Sequence, residues 1–256
     1  MDQNDDTSGV SCESCHGAAR DYLDQHGLIQ KSGQRVKPFE EDPADAAARV
    51  ARACEEGGMI ASTRFHSRSF VEIADNCFGC HTVPDERLVN EAGHPAGSAM
   101  DFVDWSQGII RHNFHRSSSD KKSSAKDPDR ENVAASAADL RVFHVVGNGV
   151  DLEFGLRGLA KATSEGAYAT AMVTRIGEAE KALRSIQAAA ATPQVQEALA
   201  ALDGAALGPG NQADLSARAD RVRAAIEAFA QAHDGSALGA IDSLVPSSRQ
   251  GTPFQR

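Results

Sequence analysis

Hydrophobic residues in the second half of the chain recur every three or four positions, the interval that gathers them on one face of an α-helix. The longest stripe consists of Tyr168, Met172, Ile176, Ala179, Leu183, Ile186 and Ala190. A last stripe consists of Leu215, Ala219, Val222, Ile226 and Phe229. An earlier one, between about residues 134 and 163, consists of Leu140, Phe143, Gly147, Val150, Phe154 and Leu159. Short connections between these helices predict a long-helix hairpin or a small antiparallel bundle over residues 134–245.

The first half of the chain has shorter helical stretches, separated by loops, and fewer apolar side chains. No segment alternates apolar and polar residues between turn signals, so the pattern predicts an all-α fold. A polar, serine-rich linker over residues 117–133 separates residues 12–116 from the bundle. Flexible tails are expected at residues 1–11 and 246–256.

Charge narrows the class of partner. The chain has 256 residues, and its 36 acidic and 26 basic side chains make a net charge of −10. Without a basic patch it has nothing to neutralise phosphates, so nucleic-acid binding is not expected. No apolar run approaches the roughly 18 residues of a membrane span. Residues 1–133 hold a net charge of −8, so an electrostatically steered partner should be basic and should meet this half.

The cysteines carry most of the chemical information. Cys-Glu-Ser-Cys-His stands at residues 12–16 and Cys-Phe-Gly-Cys-His at residues 77–81, which is the C-x-x-C-H signature of covalent haem attachment. Two thiols three positions apart lie one helical turn from each other and reach the two vinyl groups of one porphyrin edge. The adjacent imidazole is then the proximal iron ligand. The predicted residues are Cys12, Cys15, Cys77 and Cys80 for the thioethers, with His16 and His81 for the irons.

Other uses of cysteine explain the pattern less well. The two pairs of a four-cysteine zinc site usually lie about 15 to 20 residues apart, whereas 61 residues separate Cys15 from Cys77. Zinc also gives no reason for a histidine after each pair. A thioredoxin-like redox pair needs a βαβ context, which the helical pattern lacks. Cys54, in an alanine-rich helical stretch, is interpreted as a small buried hydrophobe.

With these motifs the chain resembles c-type cytochromes of the multihaem, bis-histidine kind, related to the tetrahaem cytochrome c of ammonia oxidisers. The resemblance covers about residues 10–116 and rests on the two motifs and on Gly93-His94, which follows the second. It implies two covalently bound haem c groups that organise this half of the chain. It also implies a periplasmic or otherwise extracytoplasmic location. Residues 1–9 are polar and acidic without a signal peptide, so the chain is interpreted as a mature or trimmed product from which a membrane anchor could have been lost.

The sixth position of each iron needs its own ligand, and His94 and His112 are the leading candidates. His94 lies in a loop between Gly93 and Gly97, where glycine lets backbone approach a flat ring. His112 follows Arg111, whose guanidinium is suited to pair with a haem propionate.

Three further histidines are runner-up distal ligands. His115 shares a helix face with His112 and either binds iron or flanks a propionate. His66 is more typical of a surface histidine. His144, at the margin of an apolar stripe, is more typical of a buried histidine with satisfied hydrogen bonds.

The preferred function is a dihaem cytochrome c that carries single electrons between redox partner proteins by outer-sphere transfer. Two alternatives stay open. One is a haem-bearing subunit of a larger respiratory or photosynthetic complex, or of a haem polymer, with the bundle as the docking or oligomerisation surface. The other is an enzyme with one open iron site that acts on peroxide, nitrite or hydroxylamine. The surplus of histidines makes the enzyme the less favoured of the three.

Replacement of His94 or His112 by alanine is expected to remove an axial ligand and to convert one haem from low spin to high spin. Electron paramagnetic resonance of each oxidised variant measures this change. An unchanged low-spin spectrum would remove that histidine from the ligand set.

Overall fold

The computed structural model describes residues 69–108 and 135–251, together with the main chain of residues 29–31 and 34–36 and the single helical residues 48 and 52. The two long stretches contain α1 (Ser69–His81), α2 (Glu86–Asn90), α3 (Phe102–Ser106), α4 (Ala137–Lys161), α5 (Ala167–Ala189), α6 (Pro193–Ala200), α7 (Gln212–Ala232) and a 3₁₀ helix (Ser236–Ile241). Helix makes up 68% of the described residues, which confirms the predicted all-α fold.

A small β-hairpin precedes these helices. β1 (Ile29–Lys31) and β2 (Gln34–Val36) pair antiparallel, with Lys31 opposite Gln34. The sequence pattern predicted only helices and loops in this region. Three residues per strand are too few for an alternating pattern to be recognised, and the hairpin leaves the fold class unchanged.

Helix α4 is the central element of the described structure. It begins at a capping box, in which the Ser136 side chain accepts from the Asp139 amide and the Asp139 carboxylate accepts from Ser136. The sequence predicted a single apolar stripe on this helix. In the structure, almost every residue from 142 to 160 is buried, because other helices surround α4 on several sides. A helix that is covered all round has no polar face, and its periodicity is correspondingly weak.

The long helices pack as the predicted antiparallel bundle. Along α4 and α5, Gly155 faces Ile176 and Gly158 faces Met172, so the residue numbers rise on one helix as they fall on the other. Along α4 and α7, the pairs Glu153 with Arg223 and Arg157 with Asp220 run in the same antiparallel sense. Among the described helices, none is both long enough and apolar enough to cross a membrane.

Helix α1 shares its core with this bundle. Val71, Ala74 and Phe78 recur at intervals of three and four and are at most 1% exposed. Phe70 meets Phe143 of α4 edge to face, with ring centroids 4.7 Å apart. Over residues 69–108, therefore, apolar side chains of the bundle complete the core.

Helix α3 lies against α4, and a residue near the end of the chain contacts it. Phe102 of α3 packs on Phe143, with ring centroids 5.5 Å apart. The sequence assigns residues 246–256 to a tail, and within it the Gln250 amide donates to the Asp104 carbonyl oxygen at 3.0 Å. Residue 250 is thereby attached to the helix that borders the candidate site.

The approach of α3 to α4 generates a stability prediction. A Cβ at Gly147 would lie 2.5 Å from Cβ of Phe102, an atom fixed to the α3 backbone. Gly147→Ala should therefore lower the free energy of unfolding by about 1–3 kcal/mol, the usual cost of overpacking. Chemical denaturation followed by circular dichroism measures it.

The matched control is Gly177→Ala on α5, where a Cβ meets no atom of the described residues within 4 Å. The free energy of unfolding of this variant should rise by about 0.5–1 kcal/mol, because alanine is a better helix former than glycine. Equal effects of the two substitutions would contradict a close packing of α3 on α4.

Candidate functional site

The second C-x-x-C-H motif forms the last turn of α1. Helix geometry places Cys77 and Cys80 one turn apart. Cys77 is half-buried against the core, whereas Cys80 is exposed. A Cβ at Gly79 would meet no atom of the described residues within 4 Å. Among the described residues, the end of α1 that carries Cys80 therefore leaves space for a bulky group.

The imidazole of His81 is held by two neighbours. Its Nδ1 lies 2.5 Å from Ser98 Oγ, and its ring meets Trp105 of α3 edge to face, with ring centroids 4.6 Å apart. Within residues 69–108 and 135–251, no other hydrogen bond to this ring is formed. A partner on one nitrogen orients the ring and leaves Nε2 as the nitrogen available to a metal.

The loop that carries Ser98 is fixed to the end of α1 through its main chain. The Ser98 amide donates to the His81 carbonyl oxygen at 3.0 Å, and Thr82 forms a β-bridge with Gly97. Gly97 has a φ of 149°, and a Cβ there would overlap the His81 carbonyl oxygen. The sequence analysis expects this glycine to let the backbone approach a flat ring, which stays a prediction; in the structure the glycine allows the close approach of the backbone at the end of α1.

The surroundings of His81 favour the neutral form of its imidazole. Burial lowers the pKa of its imidazole below the usual value, and the positive charge of Arg175 lowers it further. The neutral imidazole is the form that binds metals.

An arginine from the bundle reaches this turn of α1. Arg175 of α5 donates through Nη2 to the Ser98 carbonyl oxygen at 3.0 Å and to the His81 carbonyl oxygen at 3.3 Å. Its Nη1 donates to the carboxylate of Asp151 on α4. Burial raises the pKa of Asp151 to about 6, although Arg175 opposes the shift. The bundle thus places a largely buried ion pair next to the main chain of the motif.

Helix α2 attaches the same region to the α4–α5 turn. The Glu86 carboxylate accepts from the amide and hydroxyl of Thr163 at 2.9 and 2.7 Å and from those of Ser164 at 3.1 and 3.0 Å. Asn90 Oδ1 accepts from the Tyr168 amide at 2.9 Å. These bonds, led by those from Thr163, lower the pKa of Glu86.

His94, a predicted distal ligand, is exposed in the loop after α2. Its amide donates to the Leu88 carbonyl oxygen at 3.1 Å, and the preceding Gly93 has a φ of 72°, which favours glycine. Its Nδ1 lies 2.7 Å from the Pro95 carbonyl oxygen, which again leaves Nε2 available. A role for His94 as a haem ligand stays a prediction.

His144 lies inside the core on α4 and is 7% exposed. Burial lowers the pKa of its imidazole, and the negative charge of Asp101 opposes this. Asn148 Nδ2 donates to the His144 carbonyl oxygen at 2.7 Å and lies 3.4 Å from its Nδ1. These surroundings match the interpretation of a buried structural histidine, and iron ligation by His144 stays a prediction.

Several predicted residues lie outside the described part of the chain. They are Cys12, Cys15, His16, Cys54, His66, Arg111, His112 and His115. The first haem motif and the pairing of distal ligands with irons therefore stay predictions.

Sequence reasoning missed the residues that hold His81. Ser98 lies 17 positions after it, and Arg175 lies 94 positions after it. Neither distance produces a local motif. Trp105, the single tryptophan of the chain, lies 24 positions after His81 and was not assigned to this site from the sequence either.

The described residues fit a covalently attached haem. The thiols have the required spacing and an open surrounding, and the neutral His81 has one nitrogen fixed. In the described stretches, no three His, Cys, Asp or Glu side chains form a group that could hold a metal ion. A haem iron needs no such group, because the porphyrin supplies its equatorial ligands and the protein only axial ones.

Comparison with known proteins adds no relative: no protein-family model, no curated protein and no solved structure matches the chain.

The docking of α2 generates a prediction about pH. The pKa of Glu86 is lower in the folded state than in the unfolded state, so its contribution to stability is present above about pH 4.3 and is lost as the pH falls through the folded-state pKa. Glu86→Gln should lower the melting temperature at neutral pH. The difference from the wild type should narrow below about pH 4.3.

Thermal unfolding of both proteins between neutral and acid pH measures this effect. Glu91→Gln is the control, because Glu91 is 66% exposed and its ion-pair partner Arg87 lies one turn away on the same helix. A difference in melting temperature between the wild type and Glu86→Gln that does not change with pH would contradict a stabilising role of the ionised Glu86 carboxylate.

Proposed function

We propose that the chain is an extracytoplasmic dihaem cytochrome c that carries single electrons between redox partner proteins. The observation that carries this proposal is the geometry at the end of α1. There, two thiols one turn apart precede a histidine whose Nδ1 is bound to Ser98 and whose Nε2 is available. Residues 12–16 repeat the same motif and are assigned the second haem.

A haem held at these residues supplies one-electron chemistry through the change of iron valence. Cys77 and Cys80 anchor it by thioether bonds, and His81 is the proximal ligand. Trp105 and Ser98 restrict the rotation of the imidazole, so that its orientation persists when the charge at the site changes.

An iron whose sixth position is filled by a histidine favours electron transfer over catalysis, because no substrate can bind to it. His94 is exposed, near the motif in sequence, and has its Nδ1 bound to the Pro95 carbonyl oxygen. It is therefore the leading distal ligand, and His112 is proposed for the other iron. Two imidazoles per haem leave no position at which a substrate binds iron.

The partners are proposed to be redox proteins with basic docking surfaces, because residues 1–133 hold a net charge of −8. The proposed location is the periplasm or an equivalent compartment, where thioether attachment takes place in the cytochromes that this chain resembles.

A haem count tests the proposal. Protein produced in a host that matures c-type cytochromes should give two haems per chain in a pyridine haemochrome assay. The double substitution Cys77→Ser and Cys80→Ser should leave one haem, whereas Cys54→Ser, outside both motifs, should leave two. A chain without covalent haem would overturn the proposal.

Spectroscopy separates the functions that remain. Two low-spin haems that bind neither cyanide nor carbon monoxide are expected for electron transfer. One high-spin haem that binds them would replace this proposal by a catalytic or sensing site.

A further inference from the structure

Arg175 of the bundle contacts the main chain of the second motif and forms an ion pair with Asp151. Arg175 is 12% exposed and Asp151 is 18% exposed, so both charges lie largely out of water. Arg175 spans the junction of α1 and the following loop, because one guanidinium nitrogen donates to the carbonyl oxygens of both His81 and Ser98. Charge at this position acts on the site through a medium of low dielectric constant.

The same arginine bears on the orientation of the proximal imidazole. It fixes the carbonyl of Ser98, and the hydroxyl of that residue binds Nδ1 of His81. Asp151 in turn holds the guanidinium in place. The contacts therefore run from Asp151 on α4 through Arg175 on α5 and Ser98 in the loop before α3 to His81 at the end of α1.

We propose that Arg175 and Asp151 are positioning residues that set the reduction potential of the haem attached at Cys77 and Cys80, with Arg175 raising it and Asp151 lowering it. The inference rests on the proposed function. Reduction adds an electron, so a nearby positive charge favours the reduced state and a nearby negative charge favours the oxidised state. In the intact pair the two charges have opposite effects on the reduction potential. Removal of either charge leaves the effect of the other unopposed.

Other charges face the pair and must be held constant in a test. Glu178, one turn after Arg175 on α5, and Asp101, before α3, both act electrostatically on Asp151. In the intact pair, pH 8 lies above the pKa of Asp151, which burial raises to about 6, so measurements at pH 8 compare the variants with a wild type whose Asp151 is ionised.

The experiment is a spectroelectrochemical titration of the haem-loaded protein at pH 8 and constant ionic strength. Arg175→Gln should lower the midpoint potential of one haem, and Asp151→Asn should raise the midpoint potential of the same haem. Each shift should correspond to about a tenfold change in the ratio of reduced to oxidised haem at a fixed applied potential, the order of magnitude expected for one unit charge acting at an effective dielectric constant of about 20. The other haem should be unaffected.

Two further variants separate charge from folding. Arg175→Lys keeps the positive charge and should keep the potential close to that of the wild type. Arg184→Gln is the matched control on the same helix, since Arg184 is 57% exposed and pairs with Glu180 one turn away. It should leave both potentials unchanged.

Opposite shifts from Arg175→Gln and Asp151→Asn support the proposal, because a loss of packing alone would not give opposite signs. Shifts in the same direction, or an unchanged potential in Asp151→Asn, would overturn it while the proposed function stands. If Arg175→Gln does not fold, Asp151→Asn and Arg175→Lys still decide the outcome. A wild-type protein without covalent haem overturns the proposed function itself, and the pyridine haemochrome count made before the titration identifies that case.

Discussion

The burial of α4 is the constraint on which the described structure depends. A helix covered on several sides needs partners that approach closely, and Gly147 supplies the space for α3. Apolar burial contributes about 25 cal/mol per Å² of surface removed from water, so the helices around α4 gain most of their stability from it. The same burial makes every charge on α4 expensive unless a partner accompanies it.

Two carboxylates on α4 meet this requirement, and each has an arginine partner on another helix. Glu153, which is 2% exposed, pairs with Arg223 of α7 at 2.8 Å, and Asp151 pairs with Arg175 of α5. Each arginine also contacts α1. Arg223 pairs with Asp75 in the middle of this helix, and Arg175 donates a hydrogen bond to the carbonyl oxygen of His81 at its end. Removal of one member of such a pair leaves an uncompensated buried charge, so these contacts act as specific attachments of α1 to the bundle.

This arrangement gives the bundle a role that its apolar stripes alone did not indicate. The motif-bearing turn of α1 is supported by α5 through Arg175, by α3 through Trp105 and by the α4–α5 turn through Glu86 of α2. A ligand histidine held on rigid elements keeps its geometry better than one held on loops. The long helices therefore form the scaffold of the candidate site.

The sequence by itself determined the features that depend on near neighbours in the chain. The intervals between Tyr168 and Ile186 predicted α5, and the spacing of Cys77, Cys80 and His81 indicated the candidate chemistry, because helix periodicity relates residues only a few positions apart. Only the tertiary structure decided that α4 is buried on several sides and that Ser98 and Arg175 hold the end of α1. Those contacts join residues up to 94 positions apart, and they arise when the buried core brings distant segments together, which no local pattern records.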